Sequence, residues 1–300
     1  MSFRDFLLLF FVCLAWGINL VLTRWVVADL AVPPFFFAAV RFAGVALFLI
    51  PFLRPVPEKL FTLAVISVLI GSLNFALLFI GLKNAEASAV AVTGQLGVPI
   101  STLMSMAFLG ERIGWRRGLG IMLSFAGVML IAFDPTSFRI STGLMYVVAC
   151  AFIGSYGGIL MKQMPALTGL QVQAWVGLFS FAPLFAISFL WESGQVSTYV
   201  QGGWPVWLAS LFAIFGVSIF GHGGFYTLIK KYDVSMLSPL TLMTPLWGVV
   251  FGILLLNEPI SPRLLLGGGM ALAGVFIIAV RQNTRLPEAA LGKKIGAGDS

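Results

Sequence analysis

The sequence predicts an all-α integral membrane protein of ten transmembrane helices, built as two inverted five-helix repeats. Three observations predict it: a composition too apolar for a water-soluble globule, ten apolar runs separated by charges and prolines, and an internal similarity whose register is five runs long. Of the 300 residues, 59% are apolar and 10% charged, against roughly 45–50% and about 25% in soluble domains. The mean hydropathy is +1.02. This excludes a disordered chain, a secreted disulfide scaffold and a cytosolic enzyme carrying one added anchor. A spanning helix needs roughly 20 apolar residues, so ten spans leave no room for a sizeable soluble domain.

The runs follow in order. The first lies between Asp5 and Arg24, the second runs from Leu30 to Leu53 with Arg41 inside it, the third from Leu60 to Leu82 and the fourth from Ala87 to Gly110. The fifth is Gly118 to Phe133, the sixth Ile140 to Met161, and the seventh lies between Lys162 and Glu192. The eighth runs from Pro205 to Ile229, the ninth from Val234 to Leu256 and the tenth from Leu264 to Val280. No small-x-small cleavage site closes the first run, so it reads as a retained helix and not a signal peptide. Residues 282–300 are polar and read as a disordered cytoplasmic tail.

Charge orients the runs. The net charge is +7. Thirteen of the 18 basic residues fall in loops on the side of the N-terminus and four on the other, with Arg41 inside the second run. Basic loops stay cytoplasmic, so both termini are expected inside a bacterial cytoplasmic membrane. No basic stretch carries interleaved aromatics, and nucleic acid is not an expected partner. Trp25, Trp115, Trp191, Trp204 and Trp207 fall at expected interfaces, where amphipathic rings settle.

The internal similarity pairs Phe108-Leu-Gly-Glu-Arg and Gly127-Val-Met-Leu-Ile-Ala with Leu255-Leu-Asn-Glu-Pro and Gly274-Val-Phe-Ile-Ile-Ala. Gln95-x-x-x-Pro99 pairs with Thr241-x-x-x-Pro245 after a one-residue slip. Each unit is therefore five helices long, residues 1–135 and 136–281. Five is odd, so the second unit enters the membrane from the opposite side. Inverted repeats are a common construction of secondary transporters, with the substrate site at the midplane between the halves.

Ala15-Trp16-Gly17-x-Asn19, Pro34-x6-Arg41-Phe42, and Leu109-Gly-Glu111-Arg112 followed by Gly120 and Gly127 resemble the EamA domain of the drug/metabolite transporter superfamily. The likeness covers residues 5 to 281, and the Gln95-x-x-x-Pro99 region is similar to YddG-type exporters of aromatic and other amino acids. The resemblance implies ten helices in two inverted repeats, with helices 1, 3, 4, 6, 8 and 9 lining the path. The second copy departs from the pattern: Phe152-Ile-Gly-Ser155-Tyr156 stands where a second Trp-Gly-x-Asn would be.

Polar residues at midplane are costly in lipid and should face the interior. By helical spacing the expected cavity residues are Trp16, Asn19, Asn74, Gln95, Pro99, Tyr156, Ser218, His222, Tyr226, Thr241 and Trp247. The alternative for the amides is interhelical bonding, and for Ser67, Thr102 and Thr241 bonding to their own backbone. Pro99 and Pro245 kink their helices and free carbonyls. His222, the single histidine, could carry a coupling proton or simply pack. Arg41 could meet a substrate carboxylate; the favoured reading is structural, satisfying helix ends near the outer side. Glu111 and Glu258 read as helix caps, and the glycines of the fifth and tenth runs as close helix packing.

One histidine and two unrelated cysteines, Cys13 and Cys150, give no metal constellation or nucleophile with its base, so neither an enzyme nor a cofactor is expected. Phosphorylated substrates would want basic residues at midplane. The sequence therefore predicts an exporter of small metabolites, foremost amino acids including aromatic and apolar ones, working by alternating access. The alternatives are export of other neutral metabolites or drugs, and a non-transporting receptor or scaffold. The expected partners are a small-molecule substrate and the bilayer; the oligomeric state is open.

Overall fold

The computed structural model describes residues 1–280 except 110–113, 135–138, 162–163, 165–166 and 233. Eight helices among them are long and apolar enough to cross a membrane by length and composition. In chain order with two shorter apolar helices they are α1 (Phe3–Asp29), α2 (Pro34–Phe48), α3 (Leu60–Asn84), α4 (Ala87–Phe108), α5 (Trp115–Ala132), α6 (Thr142–Met161), α7 (Gly169–Trp191), α8 (Gly203–Leu228), α9 (Met243–Leu256) and α10 (Pro262–Val280). The one strand pairing among the described residues is two residues long, Phe133–Asp134 against Arg139–Ile140. Glu111 and residues 282–300 lie outside the described residues.

The second and ninth runs give the shorter helices because prolines interrupt them. α2 starts with Pro34 in its first turn and passes at Leu49 into a 3-10 turn, Ile50–Leu53, that holds Pro51. The ninth run, expected to be continuous, is divided into Val234–Leu240 and α9. Pro245 has no N–H for the Thr241 carbonyl, and that carbonyl accepts from Thr244 N at 3.0 Å instead. α4 carries the matching break: Gly94–Leu96 tighten into a 3-10 turn four residues before Pro99. Both Pro motifs of the internal similarity therefore interrupt their helices.

The principal contacts have a simple order. α5 packs on α10, α2 on α7 and α4 on α9, while α1 lies against α8 and α9 and α6 lies against α3 and α4. Exchanging each helix for the one five places along carries this set onto itself. The α5–α10 seam is the closest. A Cβ on Gly120 would stand 2.8 Å from the Gly274 carbonyl, and one on Gly127 would collide with the Gly267 carbonyl and the Ala271 backbone. These four glycines share faces two turns apart, whereas Gly118 and Gly269 border open space. Phe61, Met122, Leu190, Leu254 and Phe276 are more than half exposed, an apolar exterior suited to lipid and not to water. Trp115, Trp191, Trp204 and Trp207 are exposed with them.

Two interior helices leave the α-helical register at corresponding places. α3 is π-helical over Val68–Leu73 and α8 over Phe212–His222. Such segments are rare and frequent at functional sites, and the one in α8 places the polar cluster described next.

Candidate functional site

The cluster begins with the π-helical segment of α8. Ser218 donates its hydroxyl proton to the Ala213 carbonyl at 3.0 Å, five residues back. Its oxygen accepts from Arg41 Nε at 3.2 Å and Nη2 at 3.1 Å. A hydroxyl has one proton and two lone pairs, so Ser218 is fully occupied. Arg41 is 1% exposed, and its guanidinium lies 4.7 Å from the centroid of Phe75 and 5.9 Å from that of Phe42. Arg41 therefore meets a neighbouring helix face and not the helix ends expected of it. Arg41 Nη1 is buried and has no acceptor among the described residues.

Further along the same helix, His222 lies under Trp16 of α1, with ring centroids 5.2 Å apart. Phe225 meets Trp16 edge-on at 5.3 Å. Trp16 Nε1 sits over Gly221, where a Cβ would stand 2.7 Å away, and it too is buried without an acceptor. His222 lies within electrostatic reach of Arg41. Asn19, one turn along α1, is buried at 7% exposure. Behind this face Gly17 admits Trp247 of α9: a Cβ there would be 3.1 Å from Gly248 N and from the Thr244 carbonyl. Trp247 stacks on Phe251 at 5.7 Å and meets Phe10 edge-on at 5.5 Å.

The remaining expected residues lie elsewhere. Asn74 of α3 donates to the Cys150 carbonyl of α6 at 2.8 Å. Ser155 of α6 donates to the Gly97 carbonyl of α4 at 3.0 Å, just past the Gly94–Leu96 turn. Gln95 is half-buried and Pro99 buried there. Tyr156 is exposed beside Phe108, with centroids 6.1 Å apart. Thr241 stands at the break before α9. Tyr226 turns away from the cluster: it packs on Gly169 of α7 and borders a groove of about 570 Å³ with Phe52, Leu170 and Phe220. Spacing put Ser218, His222 and Tyr226 on one α-helical face. The π-helical segment ends at His222, so it changes the register of Ser218 against the later residues; beyond it the helix is α-helical, and Phe225, three residues after His222, takes the place beside Trp16.

Carboxylates appear at helix ends. Glu258 accepts from Ala87 N and Ser88 N at the start of α4. Glu192 accepts from Phe35 N at 2.8 Å and Phe36 N at 3.0 Å at the start of α2. Both satisfy orphan donors of a first turn. Glu192 marked only the end of the seventh run in the sequence, and an acid just past an apolar run is the one signal that could have found it. Burial, and then the charge of Glu258, pushes the Glu86 carboxyl up, against Arg24. On the opposite side Asp5 takes the Lys231 ammonium and the Tyr232 hydroxyl, and the bond to Asp5 raises the Lys231 ammonium. No group of three or more His, Cys, Asp or Glu could hold a metal among the described residues.

The model of the EamA-like transporter family matches the chain twice, over residues 5–133 and 141–280. The chain belongs to the EamA-like transporter family. Like its EamA relatives it is a multi-pass membrane protein of a transporter family, not an enzyme family. It is 27% identical over 288 residues to a protein of Escherichia coli named "Probable amino-acid metabolite efflux pump", covering 92% of this chain and 95% of that one. The Salmonella typhimurium protein of the same name is 27% identical over 286 residues, with the same coverage. A "Probable terminal-alkyne amino-acid exporter" of Streptantibioticus cattleyicolor is 26% identical over 217 residues, covering 69% of this chain and 70% of that one. A solved crystal structure shares the fold at a TM-score of 0.62 and 22% identity, covering 95% of this chain and all of the other.

Proposed function

We propose that this EamA-family chain exports amino acids, aromatic and apolar ones included, across the bacterial cytoplasmic membrane by alternating access. The observation that carries the substrate class is the similarity, along almost the whole of both chains, to proteins named for amino-acid metabolite efflux. The cluster on α1, α8 and α9 supports it. Trp16, Phe225 and Trp247 offer apolar area without a fixed sign of charge, and Asn19 and His222 offer polar atoms to orient a small zwitterion. Gln95, Pro99 and Thr241, at the breaks of α4 and α9, complete the substrate face. Ser218 fixes Arg41 behind it, while Asn74 ties α3 to α6 and Tyr156 and Tyr226 lie outside the cluster. Such walls discriminate weakly, by about 1–3 kcal/mol per methylene, so a broad range is expected.

In this reading the chain crosses ten times, as two inverted units over 1–135 and 136–281 with both termini cytoplasmic. The exchange symmetry of the helix contacts supports it. So do the bonds between helix ends: Asp5 with Lys231, Glu192 with Phe35, Glu258 with Ala87 and Arg24 with the Ala85 carbonyl each join ends that tenfold alternation puts on one side.

Reconstituted protein should carry labelled amino acids across liposomes, and Gln95→Ala should weaken them all together. His222→Gln should abolish pH-gradient-driven flux and leave exchange intact if His222 carries the proton. Cysteines replacing Glu58 and Ser193 should label from opposite sides; labelling from one side would overturn the topology, and absence of amino-acid flux the substrate class.

A further inference from the structure

We propose that Arg41 is the anchor for the substrate's carboxylate, gripping it end-on through Nη1 and the free proton of Nη2. This deepens the amino-acid reading above and rests on it. Arg41 is the eighth of the fifteen residues of α2, about 10 Å from either end at 1.5 Å per residue. A charge in the middle of a membrane helix costs about 2.5–3.5 kcal/mol on insertion scales and is ordinarily paired or wet. Among the described residues it has no carboxylate partner. The ion pairs among the described residues are Arg24–Asp29 and Lys231–Asp5, both at helix ends.

The protein leaves a particular part of the guanidinium without a partner. Of its five N–H groups, Nε and one of Nη2 are spent on a single oxygen, Ser218 Oγ. Those two bonds take both lone pairs of that oxygen, and its proton goes to the Ala213 carbonyl. The two N–H of Nη1 and the second of Nη2 remain, and Nη1 is buried without an acceptor. Nη1 and Nη2 together form the fork that takes both oxygens of one carboxylate. Ser218 fixes the other edge of the plane, and Phe75 covers a face at 4.7 Å, so the fork is held in one orientation.

The surroundings are rich in donors and poor in acceptors. The second orphan N–H, Trp16 Nε1, lies over Gly221, three residues beyond Ser218 on α8. Among the described residues no acidic side chain pairs with Arg41. An anion is the ligand that satisfies both orphans. Asn19, three residues from Trp16 on α1 and buried, offers an acceptor oxygen for an ammonium. A zwitterion whose carboxylate meets Arg41 and whose ammonium meets Asn19 leaves its side chain toward the aromatic rings.

The competing account is a latch: Arg41 merely ties α2 to α8. Selectivity separates the two. Full-length protein in proteoliposomes would be supplied with labelled phenylalanine and unlabelled competitors. These are phenylalanine, phenylalanine amide, phenethylamine and 3-phenylpropionate. The anchor predicts that the amide and phenethylamine compete about ten- to a hundredfold more weakly than phenylalanine, the range expected for losing a charge-assisted hydrogen bond. Arg41→Gln should erase that preference while its weak amide binding persists, and Arg41→Lys, a point charge without a fork, should restore part of it. Equal competition by acid and amide in the wild type, or a uniform loss for every competitor in Arg41→Gln, would overturn the anchor.

Should Arg41→Gln fail to fold, the wild-type series decides, with Ser218→Ala as the second variant. Ser218→Ala keeps the cation and unpins the fork, so it should lower the acid-over-amide ratio; an unchanged ratio there would count against the anchor. If the wild type carries no phenylalanine at all, the substrate class fails separately. Thermal unfolding of the wild type with 3-phenylpropionate or phenethylamine then tests Arg41 alone. Protection by the acid only supports the anchor; equal protection, or none, refutes it.

Discussion

The α1–α8 seam and the α3–α6 seam occupy equivalent positions under the five-place exchange of helices, yet their polar groups are treated in opposite ways. Around the α3–α6 seam the polar contacts among the described residues close on backbone carbonyls: Asn74 on Cys150, and Ser155 on Gly97 of the adjoining α4. In the α1–α8 seam Trp16 Nε1 lies against Gly221 with no acceptor, and the cation that reaches α8 from α2 keeps its Nη1 open. Helix pairing alone therefore does not make a site. A seam whose donors are consumed by carbonyls behaves as glue, and a seam whose donors are left over has capacity for a ligand. The residue types do not reveal the difference, since an asparagine and a tryptophan were equally plausible cavity residues in the sequence.

Both seams stand in one helical frame, and the largest effect should come from breaking that frame. Gly127→Val would drive a side chain into the Gly267 carbonyl and the Ala271 backbone. Overpacking costs typically about 1–3 kcal/mol and more against rigid backbone. The variant should lose its folded, monodisperse state in detergent, and a well-folded Gly127→Val would show that the α5–α10 seam can part without harm.

Next is the saturated seam. Asn74→Ala should lower stability by about 0.6–2 kcal/mol, the worth of an interhelical bond in a membrane. It should reduce transport of all substrates by one factor, read from unfolding curves and from a panel of labelled amino acids. A change in substrate preference would move Asn74 from glue to site.

Trp16→Phe tests the open seam with a smaller change in stability. It keeps the ring on His222 and removes an unsatisfied N–H whose burial costs about 1–3 kcal/mol. Unfolding should therefore be unchanged or slightly harder, while apparent affinity for amino acids falls. Lower stability with unchanged affinity would mean that the indole N–H is satisfied by the protein.

The smallest effect belongs to Lys231→Gln just past the C-terminal end of α8, beside Asp5. The bond to Asp5 raises the Lys231 ammonium, so its contribution is complete below the ordinary lysine range and is lost as pH rises through the raised value. Wild type and variant should differ slightly at neutral pH and converge in strong alkali, with transport selectivity unaltered at any pH.

Composition and run length by themselves determined that the chain is helical and membrane-embedded, because burying a backbone in lipid leaves a helix little alternative. Pattern also located the breaks before Pro99 and Pro245, since a missing N–H acts on its own helix. The glycines of α5 and α10 announced close packing for the same local reason: a face without side chains is visible in one helix. Partnership was not legible. Arg41 with Ser218, Glu192 with the start of α2, and Asn74 with the Cys150 carbonyl depend on which faces meet, and those residues are 177, 157 and 76 positions apart. Tyr226 was placed on one face with Ser218 by α-helical spacing carried through a π-helical segment, which shifts later side chains around the axis; past His222, where the helix is regular, Phe225 and not Tyr226 meets Trp16. Sequence period fixes the faces of each helix only while the hydrogen-bond ladder keeps one register. Which donors are left unsatisfied is decided by the assembled interior, where an acceptor either lies within reach or does not.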